Sequence, residues 1–415
     1  MRNLLLIVAL VLVAAGSFLF APRPAGAEDY WGTYIQLSPR AGFILNYDSY
    51  GYIGAAARPE ALLQAGEVRQ SRPLYVLLGT VLGYPLRALL TPRVSAETVQ
   101  SHFWNASPVP VPLPDLIGFY PAFVLLNFGV LTASLWLFSW LYPRLTAGRG
   151  QAVVMYGLMV FMASSQITKA FFWTAHQQMF CFFTPLFCLF LLLQFRHKPL
   201  QTGRLAVLAL ALGVLPLLYG NFVLVLPCLW YAMWRHASGR FSPTLLGRGV
   251  MVAAAFLLPT LAWVLVLKLR GVTYYNHEMV RFRQLVWLLD LAQQPAAEWL
   301  PTLWSKLREF SQTLIGIAFF LLVLPLLGLL TRLQRVKTLV SQPWPEVVFL
   351  LVLFGSFLVA LGYYNQRLTF TLVPLLLCGA ALLLSRLPAR FQPAMIALVA
   401  ISWHLYNVWS YGPFS

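Results

Sequence analysis

The chain has 415 residues, 60% of them hydrophobic and only 10% charged, against about 25% charged in ordinary soluble domains, which excludes a soluble globular protein. Its formal charge of +17 invites a nucleic-acid reading, but the basic residues lie between apolar runs, where orientation in a bilayer accounts for them. The four cysteines (Cys181, Cys188, Cys228 and Cys378) all fall inside apolar runs, so packing is favoured over a disulfide framework or zinc site.

Many windows of about 17 apolar residues match the ~30 Å hydrocarbon core and lack the alternation of a membrane barrel, so the expected class is an all-α integral membrane protein. The first span is Leu4–Phe20. The following Ala25-Gly26-Ala27 resembles a signal-peptidase site, but a retained helix is favoured because the next loop needs an anchor. Residues 21–115 then form a long outer loop. Within it Pro73–Leu90 is interrupted by Pro85 and Arg87 and reads as a helix lying at the interface.

The remaining spans are Leu116–Leu141, Ala152–Ile167, Met179–Phe195, Leu205–Tyr219, Phe222–Trp234, Met251–Leu269, Leu314–Leu330, Val347–Tyr363, Leu368–Leu384 and Ala394–Val408. Two of them, Leu205–Tyr219 and Phe222–Trp234, are too short to cross alone and read as a kinked hairpin. With the first, that makes about eleven spans in one polytopic domain, 1–415. With the N-terminus inside, this topology leaves only Glu346 of the twelve acids on the cytoplasmic side. Chemistry that needs a carboxylate is then expected outside. A second outer loop, 270–312, ends in an amphipathic helix with Leu300, Leu303, Trp304 and Leu307 on one face.

Asp48 is the sharpest candidate for chemistry. A carboxylate at the membrane surface beside Tyr50 and Tyr52 suits a general base with its pKa raised by partial desolvation, while the competing reading is an N-cap for a helix over Ser49–Ala57. Arg69 and Arg72, just before Pro73, suit a phosphate clamp or simple headgroup anchoring. Arg367, in the short outer turn Tyr363-Tyr-Asn-Gln-Arg367, carries the same pair of readings. His176 stands in a polar turn with Lys169, Gln177 and Gln178, placed for a sugar hydroxyl or a metal, or as an ordinary loop residue. Tyr275 and His277 lie in the polar, aromatic first half of the second outer loop and are further candidates for substrate contact. No HExxH, GxSxG or P-loop spacing occurs, which removes the usual metalloprotease, serine hydrolase and nucleotide-motor readings.

Asp48-Ser-Tyr-Gly-Tyr52-Ile-Gly54-Ala55 and Ser71-Arg72-Pro73-Leu74-Tyr75 together resemble the GT-C superfamily of membrane glycosyltransferases, whose first outer loop carries an acid and then a basic residue opening a helix on the membrane. Gly213 to Pro227 is similar to that superfamily's paired short helices around a glycine turn. Arg367-Leu-Thr-Phe-Thr-Leu-Val-Pro374 is similar to its segment leading into a late helix. The resemblance implies a polyprenyl-phosphate-sugar donor and a glycan, lipid or protein acceptor. It also implies Asp48 as base and Arg72 and Arg367 on the donor phosphate, with Arg69 a less favoured candidate. A bacterial inner membrane with the site facing outside follows from it, and no nucleic acid is involved. Two departures stand out. Ser49 follows Asp48 where many relatives carry a second acid, and the lysine common in the short-helix turn is missing, so a divalent metal stays open. The alternatives are a polysaccharide polymerase or ligase working through loop 270–312, with His277, Arg281 and Arg283, and thirdly a transporter. The transporter ranks last because no acid lies inside a span.

Overall fold

The computed structural model describes residues 2–22, 32–103, 111–196, 201–237, 239–333, 343–388, 390 and 392–410. The Ala25-Gly26-Ala27 motif lies outside them. The chain opens with α1 (Arg2–Ser17), then the strands β1 (Gly32–Ser38) and β2 (Ala41–Asn46), then α2 (Tyr47–Ala57), α3 (Pro73–Leu90), α4 (Ala96–Ser101) and the long α5 (Leu113–Leu145). Next come α6 (Ala152–Ala163), α7 (Gln166–Phe171), α8 (Phe180–Phe195), α9 (Thr202–Leu212), α10 (Val225–His236) and α11 (Pro243–Leu269). The last third holds α12 (His277–Phe282), α13 (Val286–Gln293), α14 (Ala296–Thr313), α15 (Ala318–Leu333), α16 (Trp344–Leu361), α17 (Gln366–Thr369), α18 (Val373–Leu384) and α19 (Gln392–Trp409).

This is a largely helical membrane protein. Eight helical segments among the described residues are long and apolar enough to cross a bilayer, rather than the eleven expected. Four expected spans are not among the eight, namely Ala152–Ile167, Leu205–Tyr219, Phe222–Trp234 and Ala394–Val408 (α19), while α3 is added, and the first three have local causes. The run Ala152–Ile167 breaks at Ser164, after which the Ser165 side chain caps α7 by accepting from the Thr168 N–H at 3.2 Å. The expected kinked pair is present as α9 and α10, each followed or preceded by a 3₁₀ turn, Leu215–Leu217 and Gly220–Leu224. α14 stands where the amphipathic helix was expected, with Trp299, Leu300, Trp304 and Leu307 left exposed.

One element is not helical at all. β1 and β2 pair antiparallel, with Gly32 opposite Asn46 and Ile35 opposite Phe43. The hairpin leads straight into α2, so it sets where Asp48 begins its helix.

The sequence reads α3 as a helix lying at the interface. By length and composition it belongs with the eight, and it does not lie across its neighbour. It runs antiparallel along the start of α5: a Cβ on Gly83 would strike the Phe119 ring, one on Gly79 the Phe123 ring, and Arg87 pairs with Asp115 at 2.8 Å. Glycines four apart let the two backbones approach closely, as in tight helix pairs generally. The segments on either side of α3 nevertheless return to the hairpin. Its start follows Arg69, which is bonded to Asp48 just after β2, and beyond its end the His102 carbonyl accepts from the Gln36 N–H of β1 at 2.8 Å.

The core lies around α18, all of whose residues are buried, with α5 and α8 against it. α11 and α15, by contrast, leave rows of leucines uncovered, including Leu257, Leu261, Leu265, Leu322, Leu326 and Leu329. In a bilayer those faces meet lipid at no cost.

Candidate active site

Asn46, not Asp48, caps α2. Its Oδ1 accepts from the Ser49 N–H at 3.0 Å and from the Ser49 hydroxyl at 2.8 Å. Asp48 therefore sits one residue inside the helix, its carboxylate free for other partners, and the capping reading is overturned.

Those partners are Arg69 and His176. Arg69 Nη2 donates to Asp48 Oδ1 at 2.8 Å and to the Asp48 carbonyl at 3.2 Å, while its guanidinium lies 4.2 Å from the centre of the Tyr52 ring. Such close seating depends on Gly51, where a Cβ would fall 2.8 Å from Arg69 Nη2. His176 Nε2 lies 3.6 Å from Asp48 Oδ2. Its Nδ1 accepts the Gln178 N–H at 3.1 Å, so in the neutral ring the proton is on Nε2, facing the carboxylate.

The His176 turn is itself pinned. Asn127 on α5 donates to the carbonyls of Phe171, Phe172 and Thr174, and the Ala175 N–H donates to the Ser49 hydroxyl at 3.0 Å. Ser49 thus joins the start of α2 to the turn that carries His176.

Charge at Asp48 goes opposite to expectation. Burial alone would raise its carboxyl, but the hydrogen bond and charge at His176, followed by charge and hydrogen bonding at Arg69, outweigh burial and hold it well below the ordinary carboxylate range. With its side chain 45% exposed, Asp48 is an ionised group with one flank open to solvent. His176 is pushed down to about 4, first by burial and then by the nearby charges of Arg367 and Arg72, with the Asp48 carboxylate partly opposing them. It is neutral at neutral pH.

Arg72 forms a second knot. It is ion-paired with Glu278 of α12, whose other oxygen accepts from the Ser71 hydroxyl at 3.4 Å. It also donates to the Tyr52 phenol at 3.2 Å. With its amide oxygen turned toward the guanidinium, Gln177 accepts from Arg72 Nε at 3.2 Å and Nη1 at 2.9 Å. Gln70, two residues earlier, accepts the Tyr275 N–H at 2.9 Å through Oε1, and its carbonyl accepts from the Trp263 indole at 2.9 Å. The start of segment 270–312 is thereby fastened to residues 70–72.

Arg367 differs from both. Its backbone is held by the Asn365 cap at 3.0 Å, and its guanidinium lies 5.9 Å from the Phe171 ring centre. No carboxylate lies within salt-bridge range of it among the described residues, and its buried Nε has no hydrogen-bond partner. A buried unpaired donor is costly, so this cation is ready for an anion. Tyr219 is close enough to Arg72 and Arg367 to feel both charges.

Of the residues singled out from the sequence, the structure gathers Asp48, Tyr52, Arg69, Arg72, His176 and Arg367. Tyr50 is not among them: its ring is buried and its hydroxyl donates to Thr33 of β1 at 2.7 Å. Tyr275 and His277 lie at the margin, bonded to each other at 3.3 Å between the phenol and Nδ1, and adjoin the site through Glu278. Glu278, Gln177 and Tyr219 are the additions. Only their polarity within otherwise apolar or aromatic turns marked them in the sequence.

As a metal centre the donor set does not fit. Asp48 is committed to Arg69 and His176 and Glu278 to Arg72, and no group of three or more His, Cys, Asp or Glu among the described residues is arranged around a common point. No family model, curated protein or solved structure matches the chain.

Proposed function

We propose that this protein is a membrane glycosyltransferase that moves a sugar from a polyprenyl-phosphate donor to an acceptor hydroxyl at the outer face of a bacterial inner membrane, in line with its resemblance to the GT-C superfamily. The observation that carries the reading is that His176 brings together a half-exposed carboxylate, 3.6 Å from its Nε2, and the guanidinium of Arg367, whose charge it feels and whose buried Nε has no partner among the described residues. Transfer from a lipid phosphate needs those two parts. The acceptor oxygen bonds to the anomeric carbon as the carbon–oxygen bond to phosphate breaks. The acceptor hydroxyl becomes acidic as its oxygen bonds to the anomeric carbon, so its proton passes late in the step to Asp48 despite the low basicity of that carboxylate, and the phosphate leaves with the electron pair, its charge met by Arg367.

His176 and Arg69 orient the Asp48 carboxylate and keep it ionised, while Tyr52 and Gln177 hold Arg72. A polymerase or ligase acting through loop 270–312 would draw on the same pocket, because Glu278 of that loop joins it. The deciding measurement is turnover by purified protein in proteoliposomes supplied with a polyprenyl-phosphate sugar. Consumption of donor with release of lipid phosphate is expected. Saturable solute flux with no donor consumed would replace the enzyme with a transporter.

A further inference from the structure

We infer that Glu278 is a specificity residue: it restricts the pocket to lipids bearing one phosphate and turns away those bearing a diphosphate. This rests on the reading of the pocket as a lipid-phosphate site.

The argument is a charge count. Three arginines converge, but Asp48 neutralises Arg69 and Glu278 neutralises Arg72, with His176 uncharged at neutral pH. One positive charge, on Arg367, is left over. A sugar phosphodiester carries a single negative charge and matches it. A diphosphate linkage carries two, and the second would be driven toward Arg72, where the Glu278 carboxylate already occupies the guanidinium. Like charges forced together at a desolvated contact cost affinity heavily, and rejection by a built-in repulsive group is a general route to selectivity.

Glu278 is held in that seat. Asn276 caps its helix by accepting from the Met279 N–H at 3.2 Å, Tyr275 is tied to Gln70, and beyond the helix the Leu285 N–H donates to the Leu361 carbonyl at 3.0 Å. Ser71 holds the second carboxylate oxygen. Glu278 is thus positioned from both sides of the pocket and does not hang from a loose loop.

The test uses two short probes that keep the sugar linkage and differ by one phosphate, glucosyl farnesyl phosphate and glucosyl farnesyl diphosphate, which carry one and two negative charges, binding to the full-length protein in nanodiscs. Wild type is expected to favour the monophosphate by roughly tenfold or more. Glu278→Gln should erase most of that preference, chiefly by tightening the diphosphate, and Glu278→Asp should keep it. Equal affinities in wild type, or an unchanged ratio in a Glu278→Gln protein of normal melting temperature, would overturn the inference while leaving the function standing. Failure of wild type to bind either probe, or full retention of both in Arg367→Ala, would instead remove the phosphate site itself and this inference with it.

Discussion

Segment 47–72 and the turn 365–369 meet around His176 yet are built on opposite principles. In the first, both arginines beside Tyr52 are answered, Arg69 by Asp48 and Arg72 by Glu278, with Tyr52 touching each. In the second, Arg367 is held by its backbone and by the Phe171 ring, and its buried Nε is left without a partner among the described residues. Satisfied networks hold a geometry, whereas unsatisfied donors await a ligand. The comparison assigns orientation to the first segment and anion capture to the second.

The largest expected effect tests Asp48, the carboxylate of the first segment that is paired on one flank and open to solvent on the other. Asp48→Asn keeps the size of the side chain but cannot take a proton, so turnover should fall about a hundred- to ten-thousand-fold with donor binding largely intact. Activity above about a tenth of normal would reduce Asp48 to a structural partner of Arg69. Next, Arg367→Lys keeps the charge but loses the planar fork and should weaken donor use about tenfold. Donor affinity unchanged in Arg367→Ala would make that turn an interfacial anchor.

A smaller effect concerns His176. Its ring titrates near 6.5 when unfolded and at about 4 when folded, so in that window the unfolded chain binds more protons. Stability should therefore fall as pH drops from about 6.5 to about 4, by at most ~1.4 kcal/mol per unit. His176→Gln should flatten that slope in thermal melts, and an unaltered slope would mean that other groups set it.

The pocket was more legible in the sequence than the architecture around it. Asp48, Arg72 and Arg367 stood out because charge is scarce in an apolar chain. Tyr50 misled because alternate positions on a helix face apart: Tyr52 turns to the arginines while Tyr50 turns to Thr33. The raised pKa expected for Asp48 counted burial but not the partners, which lie 21 and 128 positions away along the chain. The hairpin escaped notice because its residues read as one aromatic, half-apolar stretch before a helix. α3 was half-legible: its glycine spacing signals a close helix partner, but nothing local says that the partner is the first part of α5. Since the segments on either side of it return to the hairpin, the one after it should share the hairpin's side of the membrane. A cysteine at Ser101 should react with an impermeant thiol reagent in intact cells, and labelling only after permeabilisation would reverse that assignment.

Ser49 has a consequence for anyone wishing to remake this protein as a cation-dependent enzyme. The obvious change, Ser49→Asp, would pair two acids in sequence. Yet the side chain at that position is fully enclosed and serves as a strut between Asn46 and the amide of Ala175. A carboxylate there would face the Asn46 amide oxygen that now takes the serine proton, away from solvent and from any incoming ion. Such a graft should loosen the turn bearing His176 before it recruits a cation. A cation-binding version would have to be built from the solvent flank of Asp48.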